Sequence, residues 1–153
     1  MPNHGSSRQR TAAPTRAVTP QHWRVLVQLP GRVVVATAGT RSMTLTLAGL
    51  EAIAAGRCSA SPLVRDVVSA IYLEDSDEAA RPAGDLLDAC ARAGDVLDGL
   101  WREDADAYRS WIEAIAARVW NAGNVDAIFF AGGPALTPAQ LHLLAQLRAA
   151  FHR

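Results

Sequence analysis

The side chains best suited to chemistry in this chain are carboxylates, and the most regular of them are Asp85, Asp88, Asp95 and Asp98. Counted at 100° per residue on a helix that begins at Asp85, these four occupy an arc from about 220° to about 360°. Leu86, Cys90, Leu97, Leu100 and Trp101 fall between about 60° and about 160°, with Leu87 at about 200°. One face is therefore core, and the other is a row of oxygen donors softened only by Arg92. Sites for Ca²⁺, Mg²⁺ or Mn²⁺ need oxygens that converge from several directions, whereas a convex helix face splays them apart. Asp85, Asp88 and Asp95 are thus candidate metal ligands only if a second segment, such as Glu74-Asp75-Ser76-Asp77-Glu78, folds across them. That stretch lacks the central Gly and closing Glu of an EF-hand loop. Otherwise the four aspartates form a solvated face that a protein partner can use.

Other reactive types are scattered. His4 and His152 lie near the two ends, and His22 and His142 fall in the first turns of helices, where exposure or capping is expected. Cys58 and Cys90 make neither a zinc pattern nor a disulfide framework and are expected to be buried thiols in a reducing compartment. Glu51 and Glu113 are the carboxylates nearest to apolar faces, and Glu113 is placed to pair with Arg109 one turn earlier. Trp23, Trp101, Trp111 and Trp120 all fall on apolar faces and are expected as core anchors. Trp111, Trp120, Phe129 and Phe130 together could line a small-molecule pocket. No H-E-x-x-H, C-x-x-C, Walker or G-x-G-x-x-G pattern is present, so no motif names a reaction.

The 153 residues are half hydrophobic, with 15 acids balanced by 15 basic residues, all of them Arg. This is not the composition of a disordered protein, and the length suits one domain. No apolar run of about 18 residues suggests a membrane span, and no signal-peptide pattern follows the N-terminal arginines. Cytoplasmic residence is the resulting expectation. The net charge of zero hides segregation: residues 1–50 carry six Arg and no acid, whereas residues 51–113 carry fourteen acids against six Arg. Such a chain can associate head to tail, or its front can fold back on its acidic middle. The acidic middle would repel nucleic acid.

The apolar periodicity predicts helices throughout. Residues 1–17 have little to bury and read as a flexible basic tail. Val18-Thr19-Pro20 starts the first helix, with Thr19 as cap, Pro20 at the first position and a Val18–Trp23 staple. Pro30-Gly31 should kink or break it, and the valines that follow, Val33 to Val35, would also suit a strand. The second helix, Ser42 to Ala55, shows Leu47, Leu50, Ile53 and Ala54 on one face, with Gly56 as its stop. Ser61-Pro62 opens a third, lined by Leu63, Val67, Ala70 and Ile71 with Val64 and Val68 beside them. The fourth carries the aspartates. The fifth begins near Asp106, turns Tyr108, Trp111, Ile112, Ile115, Val119 and Trp120 inward, and ends at residues 121–124. Residues 125–134 form an apolar connection in which Ile128, Phe129 and Phe130 are expected to pack on the core. The last helix is capped at Thr137, with Gln140 reciprocal and a Leu136–Leu141 staple. Residues 17–29 and 135–147 align with six identities in thirteen, through ancient duplication or through shared capping chemistry on a Leu-rich face.

Several segments carry a resemblance: Trp111-Ile112, Ile115-Ala116, Val119 and Ala122; Phe129-Phe130-Ala131-Gly132-Gly133; Leu136-Thr137, Gln140, Leu144 and Leu147; and Leu29-Pro30-Gly31-Arg32-Val33. Together they resemble a group of small bacterial helical proteins and, more distantly, are similar to the tellurite-resistance TerB-like domains. The resemblance implies a helical fold and a metal-stress setting. Family members carry an Asp-Gly after a helix and an acid in the closing helix, where this chain has Gly123-Asn124 and Gln140, which departs from any inherited cation site.

These observations predict an all-α protein: a flexible tail at 1–17 and a single compact bundle of five to six helices at 18–153. The expected function is a non-enzymatic cytoplasmic domain with no cofactor and no catalytic residues. It would bind another protein, or itself, through Asp85, Asp88, Asp95, Asp98, Phe129 and Phe130. The alternative is a divalent-cation or metal-stress domain resembling the TerB-like group.

Overall fold

The computed structural model describes residues 18–38, 42–73, 86–123 and 138–151. The expected tail at 1–17, the acidic stretch at 74–78, Asp85, the connection at 125–134 with Phe129 and Phe130, and the Thr137 cap lie outside them. Among the described residues there are six α-helices: α1 (Pro20–Ala38), α2 (Met43–Ala55), α3 (Pro62–Leu73), α4 (Leu86–Asp98), α5 (Arg102–Gly123) and α6 (Pro138–Phe151). The all-α class follows directly. The longest helix, α5, packs along α2 and α1, while α4 lies against α1 on one side and α6 on the other. None of the described helices is long and apolar enough to cross a membrane.

Helix α1 starts as its sequence dictates. The Thr19 hydroxyl accepts from the His22 backbone N–H at 3.2 Å, and Val18 and Trp23 both pack, partly buried, against the core. Of the kink or break expected at Pro30-Gly31, the break does not occur. The helix runs through Pro30 to Ala38, and Val33 to Val35 are helical rather than extended. Proline cannot donate to the carbonyl four residues earlier, so the Leu26 carbonyl loses its normal partner. The buried Tyr108 hydroxyl, reaching across from α5, donates to that same carbonyl at 2.7 Å. A tertiary bond thus replaces the missing helical one.

Of the face expected inward on α2, only Ile53 is fully buried, and the helix is turned so that Leu47 and Leu50 look outward. Ser42 caps it, accepting from the Leu45 N–H at 3.3 Å. Its buried residues are Ala48, Gly49, Ala52 and Ile53, whereas Leu47 and Leu50 are about half exposed. Small residues win the inner face because the helix approaches its neighbours closely. A Cβ on Gly49 would lie 2.7 Å from the Val34 methyls and 3.1 Å from a Val119 methyl. Gly56 is the expected stop: α2 ends at Ala55 with Gly56 as its C-cap, and a 3₁₀ turn, Gly56–Cys58, follows. Cys58 is exposed there, contrary to expectation, while Cys90 is buried.

Ser61 caps α3 and Leu63, Val64, Val67 and Val68 are buried, as the pattern predicts. Helix α4 ends at Asp98, three residues before the extrapolated apolar stripe, and a turn carries the chain through Gly99 and Leu100. Trp101 is consequently 65% exposed instead of anchoring the core, and its carbonyl accepts from Ala105 N–H as α5 begins. Helix α5 starts at Arg102, a turn earlier than expected, and buries all six of its expected inward residues. Helix α6 buries Leu147 and Phe151 against the core. Its last turn sits so close to α4 that a Cβ on Gly94 would lie 2.9 Å from the Phe151 carbonyl oxygen.

Candidate functional site

The expected aspartate row divides on inspection. Asp88, Asp95 and Asp98 are all exposed on α4, and Asp85 lies outside the described residues. Asp88 pairs with Arg92 at 2.8 Å, one turn along, with both side chains more than half exposed. Asp95 has no ionic partner among the described residues. Asp98 is engaged structurally: it receives an Arg109 guanidinium N–H at 3.0 Å.

Arg109 is the residue that sequence reasoning missed. It is only 8% exposed, and its guanidinium meets Asp98, the Asp106 carboxylate at 3.6 Å and the Phe151 carbonyl at 3.2 Å. It therefore ties the end of α4 and the start of α5 to the last turn of α6. Its Nε is buried without a hydrogen-bond partner. The expected Glu113–Arg109 pair does not form, because Glu113 binds Arg148 of α6 at 3.1 Å instead. A signal was present: Arg109 stands between Tyr108 and Ile112, a charge on an otherwise apolar face. A cavity of about 330 Å³ beside it is lined by Leu97, Asp98, Leu100, Arg102, Ala105, Asp106 and Arg109. Two guanidinium and two carboxylate groups there cancel, so the cavity has no strong preference for either sign of ligand.

The acidic surface continues past this corner. Asp104 accepts a bond from the Ser61 hydroxyl at 2.7 Å and lies close enough to Asp66 to influence it. Partial burial pushes the Asp66 carboxyl above its ordinary value, Arg65 pulls it back, and the Asp104 charge pushes it up again. Glu103 and Asp104 also occupy the first turn of α5, where the helix N-terminus favours negative charge. Exposed carboxylates thus run from Asp88 and Asp95 around the α4–α5 corner to Asp66 on α3.

Comparison with protein-family models, curated proteins and solved structures finds no match in any of the three. Among the described residues, no three His, Cys, Asp or Glu side chains come together as they would to hold a metal ion. His22 and His142 are exposed and stand on different helices. The aromatic pocket is not assembled by its described half. Trp111 is buried, donates its indole N–H to the Ala52 carbonyl at 3.3 Å and stands edge-on to Tyr108, which are packing contacts. Phe129 and Phe130 lie outside the described residues.

Proposed function

We propose that this is a non-enzymatic, cytoplasmic protein-interaction domain whose acidic corner takes an arginine-bearing segment of a protein partner. The observation that carries the reading is the pair Asp88 and Asp95, exposed on one side of α4, with Asp95 lacking an ionic partner among the described residues. The two stand two turns apart, about 10.5 Å along the helix. The exposed Arg92 bond to Asp88 contributes little and is readily exchanged for an incoming guanidinium. The divalent-cation alternative has no comparable support among the described carboxylates.

The test is binding of a fluorescent arginine-rich peptide to the full chain at low and physiological salt. Asp88→Ala with Asp95→Ala removes two exposed charges at about 0.5–1 kcal/mol each, so affinity should fall about fivefold or more while folding is unchanged. Asp98 is left intact because it supports Arg109. Equal affinity of the double variant and the parent would refute the proposal.

A further inference from the structure

The outer face of α2 is apolar, and no described residue covers it. Met43 is 73% exposed, Leu47 51% and Leu50 49%, and Ala54 continues the line half-buried. Their spacing, four, three and four residues, is that of a coiled-coil seam, which confines them to one narrow stripe. The opposite face of the same helix is already committed to α1 and α5 through Gly49 and its neighbours.

We infer that this stripe is a self-association surface, where α2 of a second copy docks antiparallel about a two-fold axis. The stripe is symmetric about its own midpoint, between residues 48 and 49. Reversing a second α2 therefore sets Met43 opposite the partner's Ala54 and Leu47 opposite the partner's Leu50. Large faces small at the ends and leucine meets leucine in the middle, so one patch is complementary to itself, as a two-fold contact requires. Charge does not oppose the contact. The single charged residue of α2, Glu51, is neutralised by Arg118 at 3.3 Å. The Thr46 hydroxyl is already bonded to the Ser42 carbonyl at 2.9 Å, so covering it strands no donor. The exposed side chains offer about 300 Å² of apolar surface per copy. Two such faces bury about 600 Å² in all, less than a stable dimer buries, so the dimer is transient and forms and dissociates with concentration.

Sedimentation equilibrium of the full chain tests this. The expected mass rises from 16.3 kDa toward twice that value as concentration increases from about 10 µM to about 1 mM. Leu47→Glu should weaken association at least tenfold. Met43→Glu, at a still more exposed position, decides the matter if the first variant is poorly folded. Association should persist in 0.5 M salt, and Asp88→Ala with Asp95→Ala should leave it unchanged, which separates it from the acidic corner. A mass fixed at one copy up to 1 mM, Leu47→Glu and Met43→Glu variants that associate as tightly as the parent, or loss of association in salt would each overturn the inference.

Discussion

Removing one oxygen atom tests why α1 survives its internal proline. Tyr108→Phe keeps the ring and its packing but deletes the hydroxyl that serves the Leu26 carbonyl. With Pro30 at the position that would normally donate, that buried carbonyl is left unsatisfied, at about 1–3 kcal/mol. For a urea slope of about 2 kcal/mol/M, a loss of about 2 kcal/mol lowers the unfolding midpoint by about 1 M. Pro30→Ala restores the backbone N–H, so in that background the carbonyl keeps a partner and Tyr108→Phe should cost about 1 kcal/mol or less. The sign of Pro30→Ala by itself decides nothing, because regained hydrogen bonding competes with lost burial of the ring. The decisive quantity is the coupling across the four proteins, about 1–2 kcal/mol, measured by urea unfolding followed at 222 nm. If Tyr108→Phe costs the same within about 0.5 kcal/mol whether residue 30 is Pro or Ala, the replacement of one bond by the other is refuted.

Two further outcomes follow from the same buried region. Arg109→Met keeps an apolar stem but removes the bonds to Asp98 and the Phe151 carbonyl. Because both carboxylates near it are exposed and regain water, the cost should be about 1.5–3 kcal/mol, read as a melting point lower by about 5–10 °C. Its effect should add to that of Glu113→Gln, and coupling between them in a double-mutant cycle would restore the pairing that the sequence suggests. Burial, and then the neighbouring Cys90, push the Tyr108 hydroxyl well above the ordinary tyrosine value. The folded state therefore keeps a proton that the unfolded chain releases above about pH 10. This contribution is fully present below that pH and declines as pH rises, by up to 1.36 kcal/mol per unit. Unfolding between pH 9 and 11.5 should show a shallower decline for Tyr108→Phe, and identical slopes would count against it.

The helical class and the faces of α3 and α5 were legible because polar and apolar residues alternate there at helical spacing. Tyr108, Trp111, Ile112, Ile115, Val119 and Trp120 have no apolar competitors on the far side of α5. Helix α2 offers no such contrast. It is apolar nearly all round, and the choice between Leu47–Leu50 and Ala48–Gly49–Ala52 is made by how closely backbones approach, which hydropathy does not encode. Trp101 was misplaced by extending a periodic pattern across Gly99, where the helix ends. Cys58 is exposed because a 3₁₀ turn, rather than a helix face, presents it. Continuity through Pro30 depends on Tyr108, a residue 82 positions from the Leu26 carbonyl it serves, and local rules about proline contain no information about it. The candidate site was half legible. Asp88 and Asp95 lie on the exposed face their spacing gives, but Asp98 is engaged by Arg109, whose choice among Glu113, Asp106 and Asp98 is settled by the packing of α4, α5 and α6.

The Tyr108–Leu26 bond also bears on how the protein is made. A ribosome releases α1 long before residue 108 is synthesised, and until then the Leu26 carbonyl has neither a helical donor nor the phenol. Until then α1 lacks both that bond and the tertiary packing that supplies most of a helix's stability. The bond and part of that packing come from α5, which follows α1 in the chain and lays its tyrosine against it. Although α1 precedes α5 in the chain, its Leu26 carbonyl is satisfied only once α5 has packed against it.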